Sequence, residues 1–386
     1  MTASVPGIRD ESRVRCWIMR GGTSKAVFLM EDDLPRDAAA RDALILRLFG
    51  SPDKRQIDGL GGADPLTSKC AVIGRSTRSD ADVTFAFYQV GIDKAIVKPS
   101  ICGNISAAVG PFAIDEGIVA AREPVTTVAV YNPHTDRVFY AEVPVERGKA
   151  RTRGDFEIAG VPGQGARIVL DWRNVIGIET GALLPTGNRR DRLVVPGRGE
   201  FQVSIVDGGN PAVFIPAAAL GLAGTELPEA MNANVELLRL AEDIRSAAAE
   251  RVGLVRDRRR ASTDSPNHPF LVLVAAPASY TAYDGRCVEA SAIDVTARAF
   301  FMQTLHKTFP GTGALCTGIA ARIPGTVVHD VTRAPALRSG VVEIGHPGGT
   351  MNVEVDVAVE GSGFVVRRAA VARTARRIME GYACVE

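Results

Sequence analysis

Residues 18–29, IMRGGTSKAVFL, resemble residues 205–215, IVDGGNPAVFI, and both stretches predict a strand, a Gly-Gly turn and a second strand. Further resemblances follow in the same order along the chain, pairing 64–73 with 265–272, 101–107 with 315–321, and 132–140 with 346–355. We therefore predict an internal duplication. Chance similarity between glycine-rich turns is the alternative interpretation.

The duplication predicts two α+β halves, which we place at 1–190 and 191–386, with 364–386 able to cross back to the first half. Strands are predicted at 14–19, 26–29, 81–90, 125–131, 203–206, 270–275 and 351–357. Helices are predicted at 35–49, 105–116, 228–251 and 294–309, with a shorter one after Cys316. The turn-rich segment near 185–200 is the predicted linker. A site between the halves would bring Cys102 and Cys316 face to face.

The composition argues against several classes of function. The chain has 386 residues, 46% of them hydrophobic and 23% charged, and a net charge of +1, so no overall charge attracts nucleic acid or an anionic membrane. No apolar run approaches the ~18 residues of a membrane span. The six cysteines are scattered, without the spacing of a zinc site, and the start of the chain has no apolar signal segment. We predict a reduced, cytoplasmic protein.

The segment 101–112, ICGNISAAVGPF, places a cysteine directly before residues that can start a helix. Backbone N–H groups at a helix start are unpaired and can hold a carboxylate. The same partial positive charge favours thiolate over thiol. Cys102 could therefore act as an acid or base beside a bound anion, although a small buried cysteine at a tight junction would fit the sequence equally well.

The loop 58–69, DGLGGADPLTSK, is rich in glycine and hydroxyl groups but lacks the residue order of a P-loop or a dinucleotide-binding turn. Its hydroxyl residues Thr67 and Ser68 precede Lys69, which comes directly before an apolar strand. A lysine at a strand edge facing a cleft can lose its charge by desolvation and serve as a base. An ordinary exposed lysine is the alternative.

Three more places carry candidate substrate contacts. The turn 20–25, RGGTSK, combines the cation of Arg20 with the hydroxyl of Ser24 and suits carboxylate binding, unless it is a solvated hairpin turn. Asn188, in the turn 185–188, could donate to a substrate oxygen or simply belong to a linker. His346, beside a Gly-Gly turn, is the best candidate among histidines that show no metal-binding spacing.

Together these motifs resemble the PrpF-like family of 2-methylaconitate cis-trans isomerases, 3-methylitaconate Δ-isomerases and 4-oxalomesaconate tautomerases. The similarity runs nearly end to end, from 19–25 to 374–382. Its specific marks are QIDG at 56–59, TSK at 67–69, CGN at 102–104, PTGN at 185–188 and IPGTVV at 323–328. The methylitaconate branch is nearest, from FGSP at 49–52, GADPL at 62–66 and GPFAIDE at 110–116.

The resemblance implies a diaminopimelate-epimerase-like fold of two pseudo-symmetric halves, each a sheet rolled around a central helix, with the active site between them. It implies no cofactor and no metal, and a homodimer or homotetramer. The family's functional lysine, cysteine and hydroxyl correspond to Lys69, Cys102 and Ser24. Epimerases of this fold use a second cysteine, here Cys316, but the residues after both cysteines depart from the epimerase glycine order, which argues against two-cysteine racemisation.

The sequence thus predicts an isomerase that moves a proton across an allylic system in a small unsaturated di- or tricarboxylate such as 3-methylitaconate. Lys69 and Cys102 form the acid–base pair in undetermined order. The N–H groups of Gly103 and Asn104, with Ser24 and Thr67, would stabilise the intermediate charge. Oxalomesaconate tautomerase and methylaconitate isomerase are the alternatives within the family. A non-catalytic carboxylate-binding accessory protein is the alternative from another class, and a cysteine hydrolase is a weaker one.

Overall fold

The computed structural model describes residues 12–158, 160–361 and 363–385. The helices are α1 (Ala38–Phe49), α2 (Gly103–Asp115), α3 (Pro228–Ala233), α4 (Val235–Arg251), α5 (Ala261–Asp264), α6 (Gly311–Ala321) and α7 (Val327–Val331). The strands are β1 (Ser12–Gly21), β2 (Ser24–Met30), β3 (Lys69–Arg75), β4 (Val83–Val90), β5 (Val97–Ser100), β6 (Val125–Asn132), β7 (Arg137–Glu146), β8 (Lys149–Ala150), β9 (Ile168–Asp171), β10 (Asp191–Val195), β11 (Gly199–Asp207), β12 (Pro211–Pro216), β13 (Phe270–Ala275), β14 (Tyr280–Thr281), β15 (Cys287–Val288), β16 (Val295–Phe301), β17 (Thr304–Leu305), β18 (Val341–His346), β19 (Gly349–Glu360), β20 (Gly363–Arg373) and β21 (Ala375–Val385).

The chain forms two compact units. The first comprises the described residues within Met1–Glu157, Val161–Val169 and Arg373–Glu386, and the second those within Ile158–Gly160 and Leu170–Ala372. The chain therefore returns to the first unit for β21, which pairs antiparallel with β1. These units are defined by contacts within the fold, whereas the predicted halves are defined by sequence repetition. The division of the sequence into halves at 190/191 therefore stays a prediction.

A central helix organises the first unit. Strand β1 pairs antiparallel with β2, β2 parallel with β3, β3 antiparallel with β4, β4 parallel with β6, and β6 antiparallel with β7. Helix α2 packs against β1, β2, β6, β7, β8 and β21. Every residue from Ile105 to Ile114 is buried, as expected for a helix that is apolar all round and surrounded by strands.

The other face of this sheet packs against α1. Leu44, Ile45 and Leu48 of that helix belong to one apolar cluster with the alternate strand residues Cys70 and Val72. The helix begins after Asp37, whose side chain accepts a hydrogen bond from the Ala40 N–H, and ends at Gly50 with φ +69°. The sheet of the first unit is thus covered by α2 on one face and α1 on the other.

The second unit repeats this order of pairing. Strand β11 pairs antiparallel with β12, β12 parallel with β13, β13 antiparallel with β16, β16 parallel with β18, and β18 antiparallel with β19. Helix α6 packs against β11, β12, β18 and β19, as α2 packs against its own strands. Helices α3 and α4 lie in the β12–β13 connection, where the first unit has α1 between β2 and β3. The predicted internal repeat is therefore confirmed at the level of topology.

Some predicted elements were wrong. The helix predicted at 294–309 is instead the strand β16, a turn at Met302 and Gln303 with φ 49° and 60°, and the short strand β17. The strand VTARAFF is buried on both faces although it includes Thr296 and Arg298, and periodicity alone does not separate so short a buried segment from a helix. The helix predicted at 228–251 is divided at Asn234, whose side chain accepts a hydrogen bond from the Leu237 N–H and so caps α4.

The segment 185–200, predicted as a linker, contains β10, which forms a hairpin with β11. Among the helices of the described residues, none combines the length and the apolar character needed to cross a membrane.

Candidate active site

The start of α2 lies against the turn between β1 and β2. A Cβ added to Gly21 would stand 2.5 Å from the Asn104 carbonyl oxygen, and one added to Gly22 would stand 2.2 Å from Asn104 Oδ1. Asn104 Nδ2 donates to Thr23 Oγ1 over 3.1 Å. Only glycine permits backbone to approach backbone this closely. The Gly-Gly turn therefore fixes the beginning of α2 at the edge where β2 also begins.

Cys102 is the residue that precedes α2, as the sequence predicted. Its backbone is extended, with φ −138° and ψ 104°, and its carbonyl accepts hydrogen bonds from Ser106 N (3.0 Å) and Ser106 Oγ (2.9 Å). The N–H groups of Gly103 and Asn104 precede this first helical bond and so have no partner within the helix. Apart from its chain neighbours and the backbone of its own helix, no heavy atom of the described chain lies within 4 Å of where a Gly103 Cβ would stand. Open space therefore lies beside Gly103, and Cys102, the residue before it, is half-exposed.

Ser24 and Lys69 lie on the sheet face that α2 covers. Phe28 of β2 contacts Phe112 of α2, with ring centroids 5.3 Å apart, and Ser24 shares its face because side chains alternate along a strand. Phe28 is paired with Ala71 of β3, and Lys69 stands two residues before Ala71. Because β2 and β3 are parallel, their first residues, Ser24 and Lys69, lie at the same edge of the sheet.

The hydroxyl of Ser24 is buried and has no hydrogen-bond partner among the described residues. Its residue surface is 3% exposed, and within the part of the chain that the structure describes, its Oγ makes no hydrogen bond. Leaving a buried polar group unsatisfied costs ~1–3 kcal/mol. A bound ligand with a hydrogen-bonding oxygen would satisfy this hydroxyl.

Lys69 is also buried, with 7% of its surface exposed. Its Nζ donates to Gln89 Oε1 over 2.8 Å and lies 5.3 Å from the centroid of the Phe87 ring. Phe87 is paired with Ser100, the last residue of β5, and Cys102 follows shortly after it. Phe87 therefore links the two groups: the amine of Lys69 lies over its ring, and its strand partner β5 leads to Cys102.

The loop before Lys69 is held by two glutamines that the sequence reasoning missed. Gln56 Oε1 accepts from Ser68 Oγ (2.6 Å) and Ala63 N (2.8 Å). Gln89 Nε2 donates to the carbonyls of Pro65 (3.1 Å) and Ser68 (3.0 Å). The available signal for Gln89 was a long polar side chain near the end of a mostly apolar strand.

These contacts change the expected role of Ser68. Ser68 was predicted to bind substrate, but it is fully buried and its hydroxyl donates to Gln56, so it stabilises the loop. Thr67 is half-buried, and its Oγ1 donates to the carbonyl of Asp64 over 3.2 Å. Of the two residues, only Thr67 keeps exposed surface.

Arg20 lies on the wrong face of the sheet for its predicted role. It is paired with Lys25, which alternates with Val27 and Leu29 of the α1-facing cluster. Its NH1 donates to the carbonyls of Gly22 (2.9 Å) and Thr374 (3.0 Å), so the guanidinium closes the turn. Burial, and then the charge of Arg376, lower the pKa of Arg20. Carboxylate binding beside Ser24 is therefore a role that this geometry does not support.

Cys316, predicted as the counterpart of Cys102, lies in the interior of α6 within the second unit. It is fully buried, and its Sγ donates to the carbonyl of Val206 over 3.2 Å. Burial raises the pKa of this thiol. The helix begins at Gly311, more than a turn earlier, and Pro310 precedes it. The prediction that Cys316 touches substrate is therefore not supported.

The side chains of Asn188 and His346 also make hydrogen bonds within the second unit. Asn188 Nδ2 donates to Asp191 Oδ1 over 2.9 Å. His346 is fully buried, with its Nδ1 accepting from Gly348 N over 3.1 Å and its ring stacked on that of Phe309. Both residues stabilise turns here. Among the described residues no group of three or more His, Cys, Asp or Glu is placed to hold a metal ion.

Comparison with known proteins places this geometry in a family. The pattern of the family described as PrpF protein matches residues 11–386. The chain belongs to the PrpF family. It is 48% identical to the 3-methylitaconate isomerase of Eubacterium barkeri over 379 residues, which cover 98% of each chain. It is 40% identical to the 2-methyl-aconitate isomerase of Shewanella oneidensis over 384 residues, 96% of each chain.

A solved structure of a methylitaconate-delta-isomerase superposes with a TM-score of 0.92 at 48% identity, covering 98% of this chain and 96% of that one. The predicted α+β, diaminopimelate-epimerase-like fold is confirmed by this superposition. The predicted enzyme class is confirmed as well, and this member of the PrpF family is an isomerase.

Proposed function

We propose that the protein shifts the carbon–carbon double bond of a small unsaturated dicarboxylate, with 3-methylitaconate as its substrate and Lys69 and Cys102 as the acid–base pair. The observation that carries this proposal is that Ser24, Lys69 and the start of α2 lie at one edge of the sheet in the first unit. Ser24 and Lys69 begin neighbouring parallel strands on the face that α2 covers, and α2 begins beside the turn that leads into Ser24.

The reaction is a proton transfer that needs no other reactant. In 3-methylitaconate the carbon bearing the methyl group is both allylic and next to a carboxylate, so its proton is acidified. One member of the pair removes that proton, and the electron pair spreads into a dienolate. The other member delivers a proton to the terminal CH₂ carbon, which becomes a methyl group. The double bond has then moved by one position, and no proton is gained or lost overall.

The start of α2 supplies the electrostatic part of the mechanism. The N–H groups of Gly103 and Asn104 have no partner within α2 and follow Cys102 directly in the chain, so they can hold a carboxylate as donors at a helix start do. The unpartnered Ser24 hydroxyl can donate to the same carboxylate. As negative charge moves onto the carboxylate oxygens in the dienolate, each well-placed donor contributes ~3 kcal/mol to its stabilisation.

The choice of 3-methylitaconate follows the 48% identity to an isomerase named for that acid. The 2-methyl-aconitate isomerase at 40% identity makes 2-methylaconitate the second substrate to test, followed by oxalomesaconate. We also expect a cytoplasmic homodimer or homotetramer, as predicted from the sequence.

The test is to incubate the protein with each acid in D₂O and to follow the vinyl signals by proton NMR. We expect 3-methylitaconate to lose its vinyl signals fastest and the new methyl group to carry deuterium. Replacing Lys69 with methionine removes the amine while keeping an unbranched side chain, and should lower kcat by at least ~100-fold. Lys54→Met, at an exposed loop position, is the matched control and should keep the wild-type rate.

Two results would contradict this assignment. Wild-type rates in both the Lys69→Met and the Cys102→Ala variants would remove the proposed acid–base pair. Tight binding of an unsaturated acid in a calorimeter, without any deuterium uptake, would favour the carboxylate-binding accessory protein instead.

A further inference from the structure

We propose that Gln89 is the positioning residue of the active site: it holds the amine of Lys69 in place and ties that amine to the loop 64–68. This inference rests on the proposed function, in which Lys69 transfers a proton. Gln89 stands directly opposite Lys69 in the antiparallel pairing of β3 and β4. Its amide is the hydrogen-bond partner of Lys69 Nζ, at 2.8 Å.

The orientation of the Gln89 amide is fixed by its other partners. Its Nε2 lies 3.1 Å from the carbonyl oxygen of Pro65 and 3.0 Å from that of Ser68. Carbonyl oxygens can only accept hydrogen bonds, so the NH₂ group must be on their side and the amide oxygen must face Lys69. The backbone N–H of Val90 also donates to Ser68, at 3.1 Å, and locks the same loop to β4.

A neutral acceptor suits an amine that must both lose and regain a proton. The ammonium form of lysine donates to Oε1, and the neutral amine still has two N–H groups with which to donate. Gln89 can therefore hold Nζ in either state and leave its lone pair pointing elsewhere. A carboxylate at the same place would favour the ammonium form. Nζ also lies over the face of the uncharged Phe87 ring, 5.3 Å from its centroid.

Two substitutions separate positioning from simple loop stability. Gln89→Met and Gln89→Glu both remove the hydrogen bonds to Pro65 and Ser68, but only the second adds a negative charge beside Nζ. We expect Gln89→Met to lower kcat by ~10- to 100-fold with little change in KM, because a misplaced proton-transfer group slows chemistry more than binding. We expect Gln89→Glu to displace the pH–rate profile toward alkaline pH and to regain part of its rate there.

Gln202→Met is the matched control, because Gln202 is an exposed glutamine on the strand β11 of the second unit. The pH profile and kcat of this variant should equal those of the wild type. Thermal unfolding of each variant shows how much of any loss comes from stability. If Gln89→Glu does not fold, the test rests on Gln89→Met, in which kcat should fall while KM changes little.

The inference is overturned if Gln89→Glu keeps the wild-type pH profile, or if Gln89→Met keeps the wild-type kcat. Its failure is distinguishable from failure of the proposed function. If Lys69→Met abolishes turnover while the Gln89 variants behave like wild type, Lys69 remains the acid–base group and only the positioning role falls. If Lys69→Met itself turns over normally, the proposed function falls first.

Discussion

The two units build the junction between a Gly-Gly turn and a helix start in the same way. In the first, Asn104 on the helix donates its side-chain NH₂ to Thr23 on the turn, over 3.1 Å. In the second, Asn210 on the turn donates to Thr312 on the helix, over 2.9 Å. The hydrogen bond is conserved between the units although its partners have changed places. The scaffold of the junction therefore does not depend on which element carries the asparagine.

The chemistry at the two junctions differs. Cys102 precedes α2, whereas Pro310 precedes α6 and the nearby Cys316 is buried inside the helix. A Cβ on Gly21 would stand 3.0 Å from Ile105 Cα, and one on Gly208 would stand 2.7 Å from Cys316 Cα. The first turn thus packs on the third residue of α2 and the second turn on the sixth residue of α6, so Cys316 does not stand at the helix start as Cys102 does. The first junction has a cysteine directly before the helix-start N–H groups, and the second junction has only the packing.

The largest expected effect separates the two cysteines. Cys102→Ala should lower kcat by ~100-fold or more, because it removes one member of the proposed acid–base pair. Cys316→Ala should leave kcat near the wild-type value and lower the free energy of unfolding by ~1 kcal/mol, since it deletes a buried atom and its hydrogen bond to Val206. Steady-state kinetics and thermal unfolding of both variants check this contrast.

Alkylation of the native protein provides an independent control. Iodoacetamide should label Cys102 and inactivate the enzyme, with protection by substrate, whereas Cys316 should react only after unfolding because it is buried and its pKa is raised. If Cys316→Ala remains folded but loses as much activity as Cys102→Ala, the proposed difference between the two cysteines is wrong.

The junctions also show what sequence could and could not predict. The Gly-Gly turns, the central helix and the position of Cys102 follow from local rules, because turn and helix-start residues act on their immediate neighbours. The position of Cys316 was predicted wrongly because the two segments were matched at their cysteines. The helix start is set instead by Pro310 and Gly311, which lie earlier in the chain.

Side-chain partners were harder to predict than elements. The contact between Lys69 and Gln89 depends on the register of β3 against β4, which is set by the whole sheet and not by either segment. The face of Arg20 could have been found from the sequence, because a two-residue turn places it opposite Lys25 and strand alternation then separates it from Ser24.

A smaller effect tests the packing of the two turns. Gly21→Ala places a methyl group 2.5 Å from the Asn104 carbonyl oxygen, and Gly208→Ala places one 2.7 Å from Cys316 Cα. Backbone must move in both cases, so each variant should lose ~1–3 kcal/mol of stability, measured by denaturant unfolding. Only Gly21→Ala should also lower kcat/KM of the folded protein, because it displaces the helix start that carries Cys102.

Gly340→Ala is the control for these variants, since an added Cβ there meets no described atom within 4 Å. It should leave both stability and activity close to wild type. Equal activity losses in Gly21→Ala and Gly208→Ala, measured at a temperature where both are folded, would show that the second junction is as important for catalysis as the first.

The smallest effect concerns the charged residue before each Gly-Gly turn, which is Arg20 in the first unit and Asp207 in the second. Asp207 is fully buried, with Oδ2 accepting from the N–H groups of Glu179 (3.1 Å) and Thr180 (3.0 Å). Burial, as the largest cause, and the charge of Glu179 raise the pKa of Asp207 although these hydrogen bonds lower it.

The folded protein therefore holds the Asp207 proton at a higher pH than the unfolded chain, whose ordinary carboxyl pKa is ~3.9. Stability from this group is fully present below that value and is lost as pH rises through the raised pKa of the folded state, by ~1.4 kcal/mol for each unit of difference. Asp207→Asn should abolish this loss, so the variant should gain stability relative to wild type from pH 4 upward and match it at lower pH. Denaturant unfolding across this range checks the sign, and a variant that instead loses stability above pH 4 would mean that the ionised carboxylate stabilises the second junction.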